Sequence, residues 1–190
     1  MRAVLVALLL LSPLLLPAGA RAEVPPGYVA VATEYGVPPA LLYSVALTES
    51  GTAVQRADGR GTVRRPWPWS LNVDGRGERY ASRAEACAAL QRYLQAGRSV
   101  DIGLMQVNWR HHRELLREPC DAALDPWFNL RAGAWLLRRH FEATGDWWRA
   151  AGRYHTGSDG TEQRRTRALR YVWRVAGELP RAQAIEGVTP

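Results

Sequence analysis

From Val37 to Gly51 the chain reads Val-Pro-Pro-Ala-Leu-Leu-Tyr-Ser-Val-Ala-Leu-Thr-Glu-Ser-Gly, a stretch with little polar surface that ends on a carboxylate. Pro38 and Pro39 suit a first helical turn, where no backbone N–H need be donated, and Gly51 marks the break. A helix this apolar must be buried on most sides, so the remaining elements have to be built around it. Leu42, Val45, Ala46 and Glu49 fall on one face, since residues three and four apart are neighbours. An acid on an apolar face is disfavoured as an anion, so its pKa rises and it can hold a proton near neutral pH. That is the state a general acid needs. Many glutamates at helix ends simply turn into water, and on this helix alone both readings stand.

The first residues describe an export signal. Met1-Arg2 is followed by an apolar run from Ala3 to Leu16 and by Pro17-Ala18-Gly19-Ala20-Arg21-Ala22. A basic start, an apolar core and a small-x-small ending place a signal peptide over residues 1–22, cut after Ala22. The run is shorter than the ~20 residues of a spanning helix, so no stable membrane span is expected after cleavage, and the protein is expected to be exported. All 25 basic residues are Arg, against 18 acids; without Arg2 and Arg21 the charge is about +5. Such a balance suits an anionic partner, but the arginines are scattered and charge alone decides nothing. Cys87 and Cys120 are an even count in an exported chain, which favours one disulfide bracketing Asp101 to Trp109.

The pattern along the chain is mainly helical. Tyr28 to Tyr35 reads as a short helix ending at Gly36, followed by the buried helix. From Thr52 to Ser82, Gly, Pro, Arg and Asp dominate, and Asp74-Gly75 is a turn signal, so a small β-hairpin-like insertion is expected. Ser82 with Glu85 forms a capping box for a helix to Gly97. Asp101 to Trp109 reads as a loop entering a helix that carries His111 to Arg117 and ends at Pro119. Asp125-Pro126 starts another, with Leu130, Ala134, Leu137 and Phe141 at core spacing. Further helices run from Asp146 to Tyr154 and from about Thr161 to Gly177. One domain over residues 23–180 is expected, with a flexible tail over 181–190.

Several chemistries can be set aside. No H-E-x-x-H or C-x-x-C spacing offers a metal site, and His111 and His112, adjacent on one helix, should face different ways. There is no nucleophile elbow, no phosphate loop with its Lys, and no nucleic-acid-binding motif. No metal, cofactor or nucleic-acid partner is expected. What remains is Glu49 among eight Trp and seven Tyr. Aromatic faces suit sugar rings while polar edges bind hydroxyls. Trp67, Trp69 and Trp109, in irregular segments, are the candidates for contact. Trp135 and Trp173 lie inside helices and read as core, and of Trp147 and Trp148 one is expected in and one out.

Three separated pieces resemble the motifs of lytic transglycosylases with the goose-type lysozyme-like (SLT) fold. Ala46-Leu47-Thr48-Glu49-Ser50 resembles the Glu-Ser motif, Gly103-Leu104-Met105-Gln106-Val107-Asn108 the Gly-Leu-Met-Gln motif, and Ala151-Gly152-Arg153-Tyr154-His155 the Ala-x-x-Tyr-Asn motif. Order and spacing agree over roughly Gly27 to Tyr171. Pro66-Trp67-Pro68-Trp69-Ser70-Leu71-Asn72-Val73 is similar to specialised members associated with conjugation, pilus and secretion machines.

The resemblance implies a periplasmic enzyme acting on peptidoglycan glycan strands. Glu49 would be the sole acid/base, and the attacking group the substrate sugar's own C6 hydroxyl, giving a 1,6-anhydro product. Ordinary glycoside hydrolysis usually needs two carboxylates; an internal nucleophile explains how one suffices. Ser50 and Gln106 would bind the sugar or order Glu49, Met105 would pack against the ring, and Tyr154 would orient Glu49. Gly103, Leu104 and Asn108 come with the second motif and His155 with the third. His155 departs from the usual Asn, and Gly51-Thr52 departs from the residues many members carry after Glu-Ser. Two alternatives stand beside this. One is a hydrolytic muramidase of the same fold, with Asp58, Asp74 or Asp101 as second acid. The other is a non-catalytic wall-binding or assembly module.

Overall fold

The apolar segment forms helix α2 (Pro39–Ser50), in which every residue from Ala40 to Leu47 is buried. Full burial of Leu41, Leu42, Val45 and Leu47 contributes on the order of 2 kcal/mol each. The computed structural model describes residues 24–182; the signal peptide expected over residues 1–22, its expected cut and the expected tail beyond Ala182 lie outside the described residues. Helix α1 (Pro26–Tyr35) precedes α2. Later in the chain come α3 (Arg83–Gln95), α4 (Trp109–Leu116), α5 (Pro126–Thr144), α6 (Trp147–Thr156) and α7 (Glu162–Ala182). Helix α2 packs on α7, α7 on α6, and α6 on α5, which also carries α1. The chain is mainly α, with small antiparallel sheets.

The β insertion is larger than one hairpin. Strand β1 (Gly51–Gln55) leaves α2 without a loop and pairs with β2 (Thr62–Pro66). Arg64 on β2 donates to the carbonyl of Leu47 at 3.1 Å, which also accepts from Gly51 N–H, and to Glu178 at 3.2 Å, tying the end of α2 to α7. Strand β3 (Ser70–Val73) turns through Asp74-Gly75 into β4 (Arg76–Arg79). Both turn residues have positive φ, 47° and 90°, the two-residue hairpin geometry that Asp-Gly favours. The stretch expected as a loop is instead β5 (Val100–Ile102), a tight turn, and β6 (Val107–Asn108). Strand β5 pairs with β3, giving a four-stranded sheet in the order β4-β3-β5-β6.

Cys87 and Cys120 are bonded, with Cα atoms 5.2 Å apart, joining α3 to the segment before α5. Closing that loop stabilises by roughly 3–4 kcal/mol in the chain-entropy account. Ser82 caps α3 by accepting from Glu85 N–H at 3.2 Å, as the capping box predicts.

Three expectations are corrected. Trp173 is 69% exposed: Ala168, Tyr171 and Val175 form the inner face of α7, and Trp173 lies two residues, about 200°, round from Tyr171. Trp135 is half-buried, under the Arg139 guanidinium at 4.7 Å. Trp147 and Trp148 are both half-buried, and Trp147 stacks on Phe141 at 4.0 Å. Helix α7 also continues past Gly177 to Ala182.

Candidate active site

A cleft of about 620 Å³ opens between the end of α2, the β5–β6 turn, α4 and α6. Glu49 lies in its wall, with Asp101, Gln106, Asn108, Tyr154 and His155 around it. The Glu49 carboxylate accepts the Tyr171 phenol at 2.6 Å. Burial pushes its pKa up to about 7, against the opposing pull of that hydrogen bond and the Arg174 charge, and the Asp101 charge adds to the rise. A half-buried carboxyl on the apolar helix α2 therefore titrates near neutrality, able to give a proton and take one back.

Tyr171 lies outside the three sequence motifs. It is 1% exposed, its ring stacks on His155 at 4.5 Å with planes 3° apart, and the Arg174 guanidinium lies 5.3 Å from its centroid. These contacts fix the phenol that holds Glu49. Tyr154, expected in that role, instead donates to the carbonyl of Met105 at 2.6 Å, so it braces the turn while lining the cleft. Burial is also the largest cause of a lowered His155 pKa, with Arg174 and Arg167 adding to it.

The turn Gly103-Leu104-Met105-Gln106 is held from behind. Gly103 has φ +81°, and a Cβ there would meet the Asn129 amide at 2.6 Å. Asn129, fully buried on α5, accepts from Met105 N–H at 2.9 Å and donates to the carbonyls of Ile102 and Ala123 at 2.9 and 3.1 Å. Met105 is fully buried against Gly133, where a Cβ would approach it to 2.5 Å; it packs in the core and not against a ring in the cleft. Leu104 is buried too. Ser50, at 1% exposure, donates to Leu104 O at 2.7 Å and thereby joins α2 to the turn. Gln106 takes φ +47°, an uncommon conformation for a residue other than glycine. Its amide donates to Gly103 O at 2.9 Å and Ser70 O at 3.2 Å.

Asp101 lies in the cleft on β5 and accepts from Asn108 Nδ2 at 2.7 Å; it is a strand residue and caps no helix. Burial raises its pKa, against the Asn108 hydrogen bond. Asp58 accepts from Arg60 N–H in an exposed turn, and Asp74 pairs with Arg98 at the β3–β4 turn. Neither lines the cleft. His111 and His112 both do, because α4 is broken at His112, whose φ of −133° is not helical. Trp67 and Trp69 lie outside this lining. They meet edge to face at 5.5 Å, and the Trp67 indole donates to Tyr80 O at 2.8 Å. Asn72 Oδ1, in the cleft wall, is buried without a hydrogen-bond partner.

Known proteins give the arrangement its relatives. The family model described as Transglycosylase SLT domain matches residues 29–170. An X polypeptide of Escherichia coli (strain K12) is 39% identical over 73 residues, 37% of this chain and 43% of that protein. A putative peptidoglycan-binding-like protein of the same strain is 29% identical over 87 residues, 42% of this chain and 55% of that protein. The chain thus spans about half the length of the curated relatives it matches. No solved structure matches. No described helix is long and apolar enough to cross a membrane. With its family model matched over most of its length, the chain belongs to the transglycosylase SLT domain family.

Proposed function

We propose that this protein is a peptidoglycan lytic transglycosylase, with Glu49 as its single acid/base. The observation that carries the reading is a cleft carboxyl that titrates near 7 while held by Tyr171. Protonated Glu49 gives its proton to the bridging oxygen of the β-1,4 bond between N-acetylmuramic acid and N-acetylglucosamine, and the C1–O bond breaks. The C6 hydroxyl of the muramic residue attacks C1 and its proton passes to the Glu49 carboxylate. A 1,6-anhydro ring forms, the enzyme is restored, and no water is consumed. Gln106, Asn108 and His155 line the cleft and are assigned to holding the strand. The reading extends to a periplasmic enzyme that opens the wall locally for a conjugation or secretion machine, supported by the likeness of Pro66 to Val73 to specialised members.

A second reading, hydrolysis by water, draws on Asp101, the acid that shares the cleft with Glu49 and adds to its pKa rise. Mass spectrometry of products from intact sacculi separates the two. Anhydro-muropeptides from wild type and none from Glu49→Gln are expected. Reducing-end products, one water heavier, would move the assignment to hydrolysis with Asp101 as base. Retained binding without product from the wild type would favour a wall-binding module.

A further inference from the structure

Beside the cleft lies a second hollow of about 310 Å³. His112, Leu136, Tyr154 and Gly157 belong to the walls of both. Leu136, Arg139, His140 and Ala143 come from α5 at the spacing that places them on one helix face, and Arg153 comes from α6. Apart from Tyr154, whose hydroxyl is given to Met105 O, the polar side chains of the lining are Arg139, Arg153, His112 and His140, with no carboxylate in the wall.

These groups are short of counter-charge. Arg153 Nε is buried and makes no hydrogen bond. Its acidic neighbour, Asp159, forms only a long ion pair with it, 3.9 Å from Oδ1, and shares its charge with Arg149, which holds Oδ2 at 2.5 Å. A buried polar group without an acceptor is costly, and such groups are uncommon enough to need an explanation. Arg139 is held over the Trp135 ring, which orders a long side chain at the hollow's edge. Burial first, and then the surrounding positive charge, pushes both histidines down. His112 faces His111 and Arg139; His140 faces Arg153, Arg139 and His112, with only partial relief from Asp159. Guanidinium pairs are the usual partners of carboxylates, through charge-assisted hydrogen bonds. Leu136 and Ala143 supply apolar surface beside them, which fits a short aliphatic side chain next to the acid.

We infer that this hollow is a subsite for a carboxylate of an acidic peptide carried on the bound glycan, an inference that rests on the glycan-cleaving reading of the adjoining cleft. The peptide hangs from the lactyl ether of the muramic residue, so it leaves the strand beside the sugars that the cleft holds. The subsite would make the enzyme prefer peptide-bearing strands over bare ones. The competing source of the same chemistry is the free lactyl carboxylate of a bare strand.

The test measures binding to the Glu49→Gln protein, with muramic-containing tetrasaccharides as probes. One carries stem peptides and the other is stripped to the free lactyl carboxylate. The peptide-bearing fragment is expected to bind about tenfold more tightly. Arg139→Gln should remove most of that advantage, Arg139→Glu should reverse it, and Arg139→Lys should restore part. Binding of the stripped fragment should stay within about twofold in Arg139→Gln, which also shows that this variant is folded. Equal binding of the two fragments, tighter binding of the stripped one, or an advantage that survives Arg139→Glu would overturn the subsite. Peptide selectivity in a protein that yields no anhydro product would retain the subsite and reject the catalytic reading. Anhydro products without peptide selectivity would do the opposite.

Discussion

Replacing Glu49 by Gln is expected to abolish glycan cleavage and, above neutral pH, to make the protein more stable. Loss of a positioned general acid removes on the order of 10²–10⁴-fold in rate, and here the same group would serve as both acid and base. The stability effect follows from the pKa, about 7 in the fold against an ordinary 4.5. Between those two values the folded protein binds more protons than the unfolded chain, so stability falls as pH rises through that window. Above it the wild type carries a carboxylate that the fold disfavours, a penalty of up to about 3 kcal/mol. Gln is neutral throughout and still offers Tyr171 an oxygen. The variant's thermal midpoint should match the wild type near pH 4.5 and exceed it by several degrees at pH 8. Thermal melts at intervals across that range check the sign. A variant that is less stable than wild type at pH 8 would mean the carboxylate is favoured where it lies.

Asn129→Ala is expected to be among the most destabilising single changes in the chain. The amide satisfies three buried backbone groups: Met105 N–H, Ile102 O and Ala123 O. Each group left unpaired costs about 1–3 kcal/mol, so a loss of about 3–5 kcal/mol is expected once some water entry and relaxation are allowed. The damage is also functional. The same amide fixes the Gly103–Gln106 turn that Ser50 and Tyr154 grip from α2 and α6, and Gln106 lines the cleft from the end of that turn. Urea unfolding midpoints and cleavage rates should therefore fall together. Asn129→Asp keeps one acceptor but sets a carboxylate against two carbonyls, and it should do no better. A loss below about 1 kcal/mol in Asn129→Ala would mean the turn is held without it.

What the sequence showed and what it hid have physical reasons. The α2 helix was legible because its apolar run has no alternative to burial, and Glu49 was legible because it is the acid where that run stops. Asp74-Gly75 and Ser82 with Glu85 were legible because local backbone chemistry dictates them. Asn129 was not: an asparagine four residues into an amphipathic helix gives no local sign that it bonds three backbone groups beyond that helix. Tyr171 was hidden for the same reason, since its partner lies 122 residues away. Met105 and Tyr154 belong to matched motifs, yet burial makes one a core residue and a carbonyl claims the other's hydroxyl. Strands β5 and β6 are too short for alternation to reveal them. His111 and His112 reach one cleft only because α4 breaks between its ends.

The most direct measurement is a carbon-13 NMR titration of the Glu49 side-chain carboxyl in labelled wild type, with Tyr171→Phe beside it. A midpoint near 7 is expected for the wild type. Tyr171→Phe should titrate higher, because the lost hydrogen bond favours the charged form. A wild-type midpoint near 4.5, unmoved by Tyr171→Phe, would contradict a Glu49 that serves first as acid and then as base.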